Sequence, residues 1–150
     1  MRHTLSSTVR VALFGCLLAA SLFAQDFKPA NSGNAKQFLG KWQSSFHGKV
    51  FLTLTLTADA QKMSGTVSGA DIELNDAGEL TKAEPSEGMN SITDARVNGN
   101  RLRITAKSND GSEESIQSEI VLTGSNEAEL RMIVPADVPN PKPWKLTRVH

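Results

Sequence analysis

Residues 40–57 read GKWQSSFHGKVFLTLTLT, the strongest strand pattern in the chain. Val50, Leu52, Leu54 and Leu56 fall on one side and Phe51, Thr53, Thr55 and Thr57 on the other, the period of two expected of a strand with one buried face. His47-Gly48 supplies a corner before it, and the Gly-Lys-Trp segment before that corner carries Trp42, the heaviest kind of apolar side chain. Together they predict the opening hairpin of a closed antiparallel barrel.

Downstream, turn signals recur at hairpin spacing. Ala58 to Lys62 is a polar turn, and Met63 to Ser68 returns as a strand whose Gly65 predicts a bulge or sharp bend. Asp71–Leu74 and Glu79–Lys82 flank a turn at Asn75-Asp76-Ala77-Gly78, and Ala83 to Asn90 has the composition of a loop. Ser91–Val97 and Arg101–Lys107 flank Asn98-Gly99-Asn100, a hairpin with an Asn-Gly suited to a type I′ turn. After a turn at residues 109–112, Ile116, Ser118, Ile120 and Leu122 share one face of the next strand. Gly124 to Glu127 turns the chain again, and Leu130, Met132 and Val134 alternate with Glu129, Arg131 and Ile133. Pro135 to Pro143 holds four of the six prolines, so it reads as an extended connection and not as a central strand. Trp144, Leu146 and Arg148 then share a face of the closing strand. Eight to nine short strands and no substantial amphipathic helix predict an all-β, up-and-down antiparallel barrel, since sequential hairpins join neighbours whereas a sandwich needs crossovers.

Upstream, Met1 to Ala24 has a start carrying Arg2 and Arg10, an apolar run from Val11 to Phe23 and a small residue at its end, the three parts of a secretory leader. Cleavage after Ala24, with Ala20 as the alternative, predicts a secreted or periplasmic protein. Leu13-Phe14-Gly15-Cys16 fits a lipoprotein box poorly, because the apolar run continues past Cys16. Cleavage leaves 126 of the 150 residues, enough for one domain that buries somewhat under about 70% of its unfolded surface. It also removes the only cysteine, so no disulfide is expected. Fourteen basic residues then face 16 acidic ones with no basic run, which gives nucleic acid no electrostatic reason to bind. The apolar run is too short to remain as a membrane span. Residues 25–37 have the composition of a flexible arm, in which Asn34 is expected to cap one helical turn through Phe38, and the barrel domain occupies residues 38–150.

Gly40-Lys41-Trp42 on the first strand and Arg148 on the last resemble the Gly-x-Trp and closing arginine of lipocalins and related calycin barrels. The resemblance implies a lipocalin-like barrel in which Arg148 stacks on the Trp42 indole, a structural clasp and not an active site. The wording is also similar to avidins, which share Gly-Lys-Trp, the Gly65-Thr66 pair and a late Trp-Lys-x-Thr-Arg-Val. Their biotin site does not carry over: Ser44 and Val67 stand where that family has asparagine and tyrosine, and the chain contains no tyrosine.

Catalytic chemistry finds little support. His47 has no histidine or cysteine partner nearby and reads as an exposed turn residue. Glu84, Glu87, Asp94, Glu113 and Glu114 read as a solvated rim, because no spacing puts two of them on one buried face. No phosphate loop, serine elbow, cysteine nucleophile or cofactor motif is present. The expectation is therefore a non-enzymatic protein without a cofactor. An eight-stranded barrel is just wide enough to fill itself or to hold one small molecule. The candidate cavity or rim residues are Phe46, Leu52, Leu54, Leu102, Ile104, Leu130, Met132 and Trp144, with Phe51 and the proline segment also placed at the mouth. The alternative is a protein partner: the chain is similar in size, leader and Gly-x-Trp strand to secreted bacterial metalloprotease inhibitors, which insert a free arm into the protease, although their cysteine pair is missing.

Overall fold

Eight antiparallel strands close on themselves in a computed structural model that describes residues 26–150. They are β2 (Gly40–Phe46), β3 (Lys49–Ala58), β4 (Met63–Leu74), β5 (Leu80–Asn98), β6 (Arg101–Ser108), β7 (Ser115–Leu122), β8 (Glu127–Ile133) and β9 (Trp144–Val149), preceded by β1 (Lys28–Pro29) and one 3-10 turn at Lys36–Phe38. Each barrel strand pairs with the next, and β9 returns to β2 through Trp42 opposite Arg148, so the up-and-down meander expected from the hairpin spacing closes without a crossover. The leader lies outside the described residues.

Closure requires the backbones of β3 and β4 to approach where Gly65 pairs with Leu56. A Cβ on Gly65 would lie 2.0 Å from the Thr55 carbonyl oxygen, so glycine marks a close approach here, as its position in a strand suggested. The end of the barrel holding the β3–β4, β5–β6 and β7–β8 turns is filled. Phe38, Trp42, Leu56, Leu102, Ile120 and Leu146 are all fully buried there.

Five expectations need correction. The alternation of β3 fails at one residue, because a bulge between Ser44 and Ser45 of β2 sets Leu52 and Val50 opposite them and leaves Phe51 unpaired between. Phe51 consequently turns inward and is 1% exposed, in the core and not at the rim, while Val50 points out. The stretch at residues 83–90 is a strand and not a loop: Ala83, Glu84 and Pro85 pair with Ile72, Asp71 and Ala70. Its charged residues, Glu84 and Glu87, face solvent, and the pairing breaks only at Ser86–Gly88, bulged opposite Gly69.

The type I′ turn expected at Asn98-Gly99-Asn100 is found instead at the first corner. His47 and Gly48 both have positive φ, which is the I′ pattern, whereas at Gly99-Asn100 only the glycine does, which is II′. Finally, the arm from Asp26 to Gln37 is fastened to the barrel. Ala30 N–H donates to Ala95 O (2.9 Å), Met63 N–H to Ala30 O (2.7 Å) and Ser32 N–H to Asp59 O (2.8 Å), and Ala30 and Ala35 are buried. Asn34 does not cap the 3-10 turn. Its side chain instead accepts from Asn31 N–H and donates to Pro29 O, tying the arm to itself.

Candidate functional site

The other end of the barrel, between the Trp144–Leu130 pair and the β4–β5 and β6–β7 turns, is not filled. A cavity of about 290 Å³ remains, about ten waters' worth of space and at the lower edge of small-molecule sites. Of the residues expected at a cavity or rim, Leu52, Leu54, Ile104, Leu130, Met132 and Trp144 line it. Leu102 does not, being completely buried in the filled half, and Phe46 does not either, its ring lying edge-on to His47 at 4.1 Å near the first turn. Sequence reasoning missed Val67, Ala70 and Ile72, which come from the weakly patterned β4. Val67 continues the i, i+2 series of Met63 and Gly65, whereas Ala70 and Ile72 have the opposite parity, because the register shifts between Ser68 and Ala70.

The polar groups in this wall are few and uncharged. Ser68 Oγ accepts a hydrogen bond from Thr53 N–H (2.9 Å), and Ser118 Oγ donates to the Met132 thioether at 3.5 Å, a weak acceptor. Ser86 and Asn90 face the same space from β5. Trp144 closes one side, its ring edge-on to Phe51 at 5.5 Å. Trp144 Nε1 is buried without a hydrogen-bond partner, alone among buried side-chain polar atoms of the described residues. An indole N–H can only donate, and leaving it unmatched costs about 1–3 kcal/mol. The barrel's other tryptophan lacks this defect, since Trp42 Nε1 donates to Phe38 O at 2.9 Å.

The clasp implied by the resemblance is formed at the filled end. Arg148 lies over the Trp42 ring, 4.2 Å from its centroid, and its guanidinium donates to Leu39 O, to Gln37 O (2.6 Å) and to Ser125 O (3.2 Å). One arginine thus joins the 3-10 turn, β9 and the β7–β8 turn, and the cation–π contact adds about 0.5–2 kcal/mol.

The mouth is bridged. The β4–β5 turn and the β8–β9 connection leave the same end of the barrel four strands apart, yet Lys142 N–H donates to Gly78 O (2.8 Å) and Lys142 Nζ to Glu79 Oε1 (2.6 Å). A Cβ on Gly78 would lie 2.2 Å from Asn140 O, so glycine is what lets the proline segment settle on the turn. The hydrogen bond from Lys142, helped by that from Asn75, holds the Glu79 carboxyl below its ordinary value.

The remaining carboxylates do not assemble a catalytic pair. Glu113 pairs with Lys107, Glu84 with Lys82 and Asp94 with Arg96, all on the exposed surface. One buried acid escaped the sequence analysis: Glu119, on the outer face of β7, is 5% exposed and is bound by Arg101 (2.5 Å) and Arg103 (3.1 Å). Burial pushes its carboxyl up, but the two arginines outweigh this and leave it below the ordinary value. The cue was Arg101 and Arg103, two apart on β6 and so on the same face. Among the described residues no three His, Cys, Asp or Glu side chains are placed to hold a metal ion, and no helix is long and apolar enough to cross a membrane. No protein-family profile matches the chain, and neither the curated proteins nor the solved structures contain a significant match.

Proposed function

We propose that the chain is an exported, non-enzymatic, lipocalin-like barrel that carries one small apolar or amphipathic molecule in its unfilled half. The observation that carries this reading is the cavity: about 290 Å³, walled by aliphatic side chains and Trp144 and free of charged residues, in a barrel whose opposite half is packed. A disulfide-free domain gains about 1.5–3 kcal/mol from each fully buried Leu or Ile, so leaving such a volume unfilled sacrifices stability that a ligand restores. The leader at Met1–Ala24 supports export, and the Trp42–Arg148 clasp supports the lipocalin-like relationship. The protease-inhibitor alternative draws less support, because the arm it would insert is hydrogen-bonded to β4 and β5.

Native mass spectrometry of the protein recovered from its own secretory compartment tests the proposal. A defined extra mass that disappears on unfolding is expected. A bare polypeptide mass, together with failure to take up any apolar fluorophore, would overturn it.

A further inference from the structure

We infer that the ligand is a neutral amphiphile whose polar end, a hydroxyl or primary amide that both donates and accepts hydrogen bonds, is seated on β5 against Asn90 and Ser86. This rests on the carrier reading above. Four hydroxyl or amide side chains line the cavity: Ser68, Ser86, Asn90 and Ser118. Ser68 is taken up by Thr53 N–H and Ser118 by the Met132 sulfur, whereas the side chains of Ser86 and Asn90 make no hydrogen bond to any described residue. The register turns Asn90 into the barrel. Leu54 pairs with Val67 and Val67 with Asn90, directly opposite residues of antiparallel strands share a face, and Leu54 is buried in the core. Ser86 has its place at the same wall because Gly69 has no side chain: a Cβ there would lie 2.6 Å from Ser86 Oγ. Both residues are half-buried, so their polar atoms are not sealed from an occupant. A carboxamide and a hydroxyl each offer donor and acceptor, and the group that matches them has both. The opposite wall is apolar. There β9, four strands from β5 in either direction, contributes Trp144, and β8 beside it contributes Leu130 and Met132, so the hydrocarbon body lies on that side. No Lys, Arg, His, Asp or Glu among the described residues lines the cavity, so a charged head would lose its water without gaining a counter-charge.

1-Octanol, its isosteric hydrocarbon nonane, octanoate and octylammonium separate these cases. Asn90→Leu keeps the size of the side chain and removes its polar atoms, at a position whose side chain holds no other described residue by a hydrogen bond. In that variant, affinity for 1-octanol should fall roughly tenfold further than affinity for nonane, the equivalent of one neutral hydrogen bond. The unaltered protein provides a second readout that does not depend on the variant folding. In its NOE spectra the C1 methylene of bound 1-octanol should contact the Asn90 side-chain amide protons, and the terminal methyl should contact the Trp144 ring. Both charged probes should bind more weakly than the alcohol at neutral pH. Equal losses for alcohol and hydrocarbon in the variant, or the terminal methyl found at Asn90 in place of C1, would overturn the seating on β5 while leaving the carrier reading intact. Either charged probe binding as tightly as the alcohol would overturn neutrality. If none of the probes binds the unaltered protein, the carrier reading itself fails.

Discussion

Glu119 shows how one side chain can be essential to a barrel without facing its interior. Its side chain is only 6% exposed, and its two oxygens are shared between Arg101 and Arg103, which lie beside it on the outer face of the sheet. Removing the charge while keeping the shape leaves two guanidinium groups facing a poorer acceptor. Glu119→Gln should therefore lower the unfolding free energy at pH 7 by about 1–2 kcal/mol, the lower part of the range for charged hydrogen bonds because both arginines are partly solvated. The sign with pH follows from the depressed carboxyl: its contribution is complete above the ordinary carboxylate range and disappears as pH falls through the lower folded value. Urea unfolding at pH 7 and at about pH 3 should show the gap between wild type and variant closing in acid; a gap that does not change with pH would exclude the ion pair as its cause. The two tryptophans make the complementary point. Trp42 has both its π face and its N–H matched, by Arg148 and Phe38, whereas Trp144 has an edge-on aromatic neighbour but no acceptor. The same residue type serves structure at one end of the barrel and is left unfinished at the other.

At the scale of elements, the barrel depends on where strands are allowed to come close. Gly65→Ala would drive a Cβ into the Thr55 carbonyl, a backbone atom held by the β3–β4 ladder, so it should destabilise by about 1–3 kcal/mol. Gly124→Ala, whose Cβ would find nothing nearer than 3.9 Å, should be nearly neutral, and thermal unfolding of the pair checks the contrast. Equal melting temperatures would mean that the β3–β4 approach is looser than described. The same dependence on partners explains what the sequence could reveal. Leu52, Leu54 and Leu56 were legible as inward residues because alternation is a property of one strand. Phe51 was not, because its direction is set by a residue of mismatch with β2. The strand at residues 83–90 was hidden for a related reason: Glu84, Pro85 and Glu87 are exposed, and only the β4 ladder shows that their backbone is paired. The arm's attachment was illegible because it uses backbone donors and acceptors, Ala30 with Ala95 and Met63, that leave no side-chain pattern. The cavity was half legible, since walls from β6, β8 and β9 announce themselves by alternation and the wall from β4 does not.

For the molecule as a whole, the two ends of the barrel are closed by different physics, and that difference bears on how a ligand would come and go. The packed end is sealed by buried aromatics, the 3-10 turn and the arm, contacts that would have to unfold together. The mouth is crossed by a proline-rich strap fastened to the β4–β5 turn through Lys142, in contacts exposed to water. Four prolines stiffen that strap, so it should move as a unit once its fastening is released. Lys142→Ala should then speed dissociation of a bound apolar fluorophore severalfold while leaving the melting temperature unchanged, because the bridge is at the surface and the core is untouched. The wild-type rate should also depend on pH. Glu79 is held below its ordinary carboxyl value first by Lys142 and then by Asn75, so the bridge is intact at neutral pH and is lost as pH falls through the folded value. Stopped-flow release measured from pH 7 down to about pH 3 should accelerate in wild type, with the variant already fast and losing the acceleration due to Glu79. If release in the variant keeps the wild-type rate and pH profile, the strap is not the gate, and exchange must instead follow opening of the barrel wall at the Ser86–Gly88 bulge, where the β4–β5 ladder is already interrupted.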